Sequence, residues 1–122
     1  MSKKPFAIWE VNGIEYKLKL KTATVSQLEE KLGRSLVAVF GTDGMPPLSI
    51  MLTILHGAMK DWNSNIKRAD VDDLFDQYLD EGGSQLEFFA TTFMDIYKVS
   101  GFFTVKQIQE MEINMEKVQE KL

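Results

Sequence analysis

The residues able to do chemistry in this 122-residue chain are few and scattered. There is one histidine, His56, and no cysteine, so disulfides, thiolate metal sites and a cysteine nucleophile are excluded. Serine or threonine catalysis needs a base that a third group holds in place, and no serine lies in a nucleophile-elbow motif. We therefore expect His56 to be structural, at the polar edge of a helix or at a packing boundary.

An acidic run is the other candidate for chemistry. Asp70, Asp72 and Glu81 fall at the first, third and twelfth positions of a calcium loop, but the fifth and sixth positions are Leu74 and Phe75. Such a loop needs an oxygen ligand at the fifth position and glycine at the sixth. The carboxylates are better explained by the helix dipole, which favours negative charge in the first turn. We predict no catalytic residue, no metal site and no cofactor, and therefore no enzyme.

Bulk composition indicates one globular domain. The chain is 44% hydrophobic and 26% charged, and its net charge of −4 disfavours binding to nucleic acid. No run approaches the roughly 18 apolar residues of a membrane helix, so no membrane association is expected. The first four residues form a basic segment, but Glu10 interrupts the apolar stretch that follows them, which does not fit a signal peptide. We predict a single cytoplasmic domain over residues 1–122.

A β-hairpin is the clearest local signal. Asn12-Gly13 separates two alternating segments and suits a type I′ turn, which requires positive φ at both central residues. The two-residue loop fixes the register and pairs residues 11 with 14, 9 with 16, and 7 with 18. These six side chains form an apolar face, while the opposite face is mostly polar. Because a lone hairpin is marginal in water, helices or a second copy must cover the apolar face.

Helical periods follow, and the fold class is therefore predicted as α+β. A hairpin over residues 5–21 precedes a helical body over residues 25–103 and an amphipathic C-terminal helix over residues 104–122, with four to five helices in all. Capping motifs predict helix starts at Ser26, Asp70, Ser84 and Thr104. Residues 36–40 are predicted as a short helix or a continuation of the preceding one. The helix from Ser84 is predicted to bury Leu86, Phe89, Ala90, Phe93, Met94 and Tyr97.

The chain is rich in large apolar residues for its size, with seven methionines and eight phenylalanines. Most of these fill the core, but some apolar patterns exceed one core face, and exposed apolar patches mark interfaces. The helix predicted at 48–62 carries a second stripe of apolar residues. This indicates that the helix is either central in the domain or covered by a partner. The C-terminal residues repeat as a short heptad seam. The predicted protein-binding residues are Ile50, Ile54, Phe102, Phe103, Ile108, Met111, Met115 and Val118.

Several short sequence segments resemble those of one protein family. They occur in the same order as in the family and extend over nearly the whole chain, to about residue 103. Residues 16–20 (YKLKL) and 28–36 (LEEKLGRSL) look like the opening of tail assembly chaperones of long-tailed phages and prophages of Gram-positive bacteria. Residues 52–56 (LTILH) resemble the family's second helix. Residues 78–84 (YLDEGGS) and 100–103 (SGFF) resemble its later segments, whereas the segment after Thr104 matches less well.

The resemblance implies a non-enzymatic helper of tail morphogenesis. Such chaperones keep the tape measure protein soluble until tail tube subunits polymerise around it. The resemblance also implies a homo-oligomer in the host bacterial cytoplasm that is absent from the mature virion. The tail tube protein and a frameshift-extended form of the chain are further candidate partners.

Two other interpretations stay open. A generic prophage-encoded adaptor or regulatory protein would dimerise through its C-terminal helix. A metal-dependent enzyme would use Asp70, Asp72, Asp76 or His56 around an ion, and no second feature of the sequence supports it.

Overall fold

The computed structural model confirms the α+β class and describes residues 4–40 and 44–120, with residues 114–120 described by their backbone alone. The strands are β1 (Ala7–Val11) and β2 (Ile14–Leu18). The helices are α1 (Thr22–Leu32), α2 (Leu48–Met59), α3 (Arg68–Asp80), α4 (Gln85–Phe88), α5 (Met94–Val99) and α6 (Val105–Glu120). A π-helical turn, Phe89–Phe93, joins α4 to α5.

The hairpin forms in the predicted register. Val11 pairs with Ile14, Trp9 with Tyr16, and Ala7 with Leu18. The turn residues have positive φ, 53° at Asn12 and 76° at Gly13, as a type I′ turn requires. Strands β1 and β2 are shorter than the predicted 5–21 span because pairing ends at Leu18, after which Lys19 donates its backbone N–H to the Ala58 carbonyl of α2 at 3.1 Å.

The helices cover the apolar face of the hairpin and form the core with it. Trp9 is only 2% exposed, and its ring lies 5.8 Å from Tyr78 of α3 and 5.7 Å from Phe88 of α4. Aromatic pairs of this kind contribute about 0.5–1.5 kcal/mol beyond their buried area. The fully buried large side chains are Val11, Leu18, Leu36, Val39, Met51, Ile54, Leu55, Met59, Phe88, Phe93, Ile96 and Tyr97.

Two predicted helix starts are wrong. Helix α1 begins at Thr22, so Ser26 lies inside it, and Glu29 accepts a hydrogen bond from the Leu36 backbone N–H at 2.8 Å instead of closing a capping box. Helix α3 begins at Arg68, and Asp70 accepts from the Lys67 N–H at 2.8 Å. The Glu29 carboxylate thus binds an amide beyond the end of α1, whereas the Asp70 carboxylate binds the amide of the residue that precedes α3.

The other two starts are confirmed. Ser84 Oγ accepts from the Glu87 N–H at 3.0 Å. At the start of α6, Thr104 and Gln107 bond reciprocally, with the Gln107 N–H donating to Thr104 Oγ1 at 3.1 Å and the Thr104 N–H to Gln107 Oε1 at 2.8 Å. This reciprocal pair is the predicted capping box, and it fixes the point at which α6 leaves the body.

The predicted face of the helix from Ser84 is partly wrong. Leu86 is 66% exposed, whereas Phe88 and Ile96 are fully buried. A π-helical turn has i→i+5 bonds and so carries one extra residue, which shifts the residues that face the core between α4 and α5. Residues 36–39 form turns rather than the predicted short helix, held by the Ala38 N–H donating to the Ser35 carbonyl at 3.0 Å.

Tyr78 makes folding sensitive to alkaline pH. Its burial, together with the hydrogen bond from its hydroxyl to Glu87 Oε1 at 2.8 Å, raises the pKa of Tyr78 to about 12, against about 10 in an unfolded chain. The stabilisation is therefore fully present below about pH 10 and is lost as the pH rises from about 10 to about 12. We expect the free energy of unfolding, measured by urea denaturation, to fall over this window. A Tyr78→Phe variant is expected to fall less steeply, and an unchanged slope would contradict this assignment.

Candidate functional site

Three of the candidate metal and catalytic residues, His56, Asp70 and Asp72, make contacts within the domain. His56 is half-buried, and its Nε2 lies 2.9 Å from the Ile66 carbonyl oxygen. Asp72 pairs with Arg68 one turn earlier on α3. Among the described residues, no group of three or more histidine, cysteine, aspartate or glutamate side chains is placed to hold a metal ion. The acidic run lies along α3, with Asp70 in the first turn, where the helix dipole favours a negative charge.

The second stripe of α2 is core rather than surface. Ile54 is fully buried, so its predicted exposure to a partner is wrong. Ile50 is half-buried and packs against the core. Helix α2 contacts α1, α3 and β2, which makes it the central helix of the domain.

The phenylalanines before α6 are half-buried. Both Phe102 and Phe103 pack against the core, and the Phe102 ring lies 4.6 Å from that of Tyr97. Gly101 has φ 87° and allows the chain to reverse before α6. These rings therefore anchor the connection to α6 and leave only part of their surface to a partner.

The structure describes the side chains of the predicted C-terminal binding residues only as far as residue 113. Ile108 and Met111 of α6 are half-buried. The predicted contacts through Met115 and Val118 lie outside the residues whose side chains the structure describes. The heptad seam consequently stays a prediction.

A groove lies between strand β1 and helices α5 and α6, and we call it the β1–α6 groove. Its volume is about 440 Å³. It is lined by Lys4, Phe6, Ala7 and Ile8 from the start of the hairpin, by Asp95, Lys98 and Val99 from α5, and by Val105, Ile108, Gln109 and Glu112 from α6. Three elements thus meet here, and among the predicted binding residues whose side chains the structure describes, Ile108 alone lines the groove.

The groove lies along the outer edge of β1. It is lined by the consecutive residues Phe6, Ala7 and Ile8, whose side chains alternate between the two faces of the sheet, and by no residue of β2. In an antiparallel pair closed by a two-residue loop, residues 11, 9 and 7 bond to the partner strand, and residues 10 and 8 point their backbone groups away from it. The N–H and C=O of Ile8 therefore face the groove.

The charges of the groove are balanced. Lys98 Nζ lies 3.9 Å from Asp95 Oδ1 and 3.8 Å from Glu112 Oε1, which ties α5 to α6. Burial raises the pKa of the Asp95 carboxyl, and the positive charges of Lys98 and Lys4 oppose that rise. Two cations and two anions line an otherwise apolar and uncharged surface, so the groove favours an uncharged apolar occupant.

An exposed apolar surface adjoins the groove on the outer face of the hairpin. Ile8 is 45% exposed and Trp62 41% exposed, and the Phe6 ring packs edge-on against Trp62 at 5.9 Å. Lys17 Nζ lies 4.9 Å from the centre of the same Phe6 ring. This surface was not among the predicted binding residues. The available signal was the presence of Phe6 and Ile8 on a hairpin face that is otherwise polar.

No described helix is long and apolar enough to cross a membrane. A model of a family of unknown function, DUF6096, matches residues 3–122, and the chain belongs to this family. No curated protein and no solved structure was found to match it.

Proposed function

We propose that this member of a family of unknown function binds other proteins through the β1–α6 groove and acts as a phage tail assembly chaperone that keeps the tape measure protein soluble. The observation that carries the proposal is the groove itself. It combines apolar side chains from three elements with an exposed apolar surface beside it, a combination typical of sites for protein partners. The resemblance of residues 16–103 to tail assembly chaperones names the partner.

The energetics suit a weak, repeated interaction. Burying apolar area contributes about 25 cal/mol per Å², or about 1.5–3 kcal/mol for each large side chain. One groove of this size holds few such side chains, so one copy binds weakly. Many copies along one long client gain avidity through effective concentration. This mode of action fits a transient helper in the host cytoplasm that leaves as the tail tube assembles and is absent from the virion.

Co-expression tests the proposal directly. The long protein encoded just downstream, expected to be the tape measure protein, is produced with and without this chain, followed by pull-down and light scattering. We expect soluble tape measure protein only when both are present, with several copies of this chain bound to each. A tape measure protein that stays insoluble would overturn the proposal. If this chain then forms a dimer that is lost on deletion of residues after Thr104, the adaptor interpretation replaces it.

A further inference from the structure

We propose that the occupant of the β1–α6 groove is an extended segment that adds to β1 as a third strand. The inference rests on the proposed function for the identity of the partner, but not for the mode of binding. It commits to one kind of occupant, an uncharged apolar stretch of the client in strand conformation.

The backbone of β1 supplies the first argument. The register leaves the N–H and C=O of Ile8 and Glu10 pointing away from β2. Among the described residues, neither Ile8 nor Glu10 has a backbone hydrogen-bond partner outside the hairpin. An edge of this kind is a template for another strand. On the side of β2, Lys19, the residue that follows the strand, donates its N–H to the Ala58 carbonyl of α2.

The position of the cavity supplies the second argument. The space of about 440 Å³ is lined by Phe6, Ala7 and Ile8 and by no residue of β2, which points to the edge of β1 rather than to either face of the sheet. A strand added at the usual spacing of about 4.8 Å would occupy that space. Its alternate side chains would contact Val99, Val105 and Ile108 on the far wall. Side chains of the opposite set would lie beside the exposed Ile8 on the outer face of the hairpin.

Charge and hydrogen bonding select the occupant. The lining cations Lys4 and Lys98 are matched by the anions Asp95 and Glu112, so a charged segment gains nothing by entering. A helix satisfies its own backbone groups and offers none to Ile8. Packing a helix here would remove water from the Ile8 amide without replacing it, which is unfavourable for a buried donor. An extended segment replaces that water with a backbone carbonyl.

Hydrogen exchange read by NMR tests the mode of binding. The probes are a short synthetic peptide of alternating valine and threonine and a helical alanine–leucine peptide of similar apolar content. We expect the first peptide to slow exchange of the Ile8 amide by at least about tenfold. The amide of Glu15, which points outward from β2, should not change. Equal protection of Ile8 by the helical peptide, or none by either peptide, would overturn the inference.

Proline substitution provides the matched variants. Ile8→Pro removes an edge N–H that the hairpin does not use, a position where proline is tolerated, and should abolish peptide binding. Ile8→Val keeps the N–H and should bind within about twofold of the native chain, since one methylene contributes little at a half-exposed site. Glu15→Pro makes the same backbone change on the opposite edge and should bind normally. Normal binding by a folded Ile8→Pro protein would contradict strand addition.

The outcomes separate this inference from the proposed function. Solubilised tape measure protein without protection of the Ile8 amide would overturn strand addition alone. Protection by the peptide without capture of the tape measure protein would overturn the chaperone role alone. Protection of Ile8 that rises with the concentration of the chain, without any peptide, would mean that a second copy occupies the edge, which overturns the proposed occupant.

Discussion

Ile54→Asp is expected to prevent folding. Ile54 is fully buried in the middle of α2, the helix that contacts α1, α3 and β2. The substitution removes an apolar side chain, which costs about 2–5 kcal/mol in comparable truncations. It also buries a carboxyl group that lacks a partner, which costs several kcal/mol whether the group is ionised or takes up a proton. The sum approaches the whole stability of about 5–15 kcal/mol typical of a domain.

Circular dichroism and urea denaturation measure this effect, and Ile50→Asp is the matched control. Ile50 lies four residues earlier on the same helix, is half-buried, and belongs to the first turn, where a negative charge interacts well with the helix dipole. We expect Ile50→Asp to fold with a loss of about 1–2 kcal/mol. Cooperative unfolding of the Ile54→Asp protein at native-like urea concentrations would show that Ile54 is not a core residue.

The contrast between these two residues shows what periodicity can establish. The apolar stripes of α2 were compatible with a helix central in the domain or with one covered by a partner. Apolar spacing shows which residues are buried but not which element or partner buries them. Packing of α1, α3 and β2 around α2 resolves that choice in favour of the core. The hairpin register, by contrast, was predictable in full. A two-residue Asn12-Gly13 loop determines the pairing locally, without reference to the rest of the chain.

The groove could be predicted only in part. Strand parity places Phe6 and Ile8 together on one face of the hairpin. That α5 and α6 come to lie beside Ile8 depends on the π-helical turn at residues 89–93 and on the reversal at Gly101. A π-helical turn has no distinct residue pattern in this segment, and the prediction of a regular helix there misplaced Leu86. Sequence reasoning therefore found Ile108 through its helical period but missed the strand opposite it.

Ile108→Glu is expected to abolish solubilisation of the tape measure protein while the domain stays folded. Ile108 is half-buried and lines the β1–α6 groove from the α6 side. Glutamate there loses an apolar contact and must lose water when a client enters, beside the carboxylates of Asp95 and Glu112 that already line the groove. A penalty of about 3 kcal/mol or more weakens each site by at least about 100-fold. Because avidity multiplies across copies, the combined loss should leave no soluble complex.

Ile113→Glu provides the control, since it makes the same substitution on the same helix. Ile113 is 50% exposed and does not line the groove, so its variant should solubilise the client as the native chain does. The measurement is the soluble fraction of co-expressed tape measure protein, with circular dichroism confirming equal helix content in both variants. If both variants fail, the outer surface of α6 binds the client and the groove does not. If Ile108→Glu retains full activity, the client binds elsewhere, and the exposed surface around Phe6 and Trp62 becomes the next site to alter.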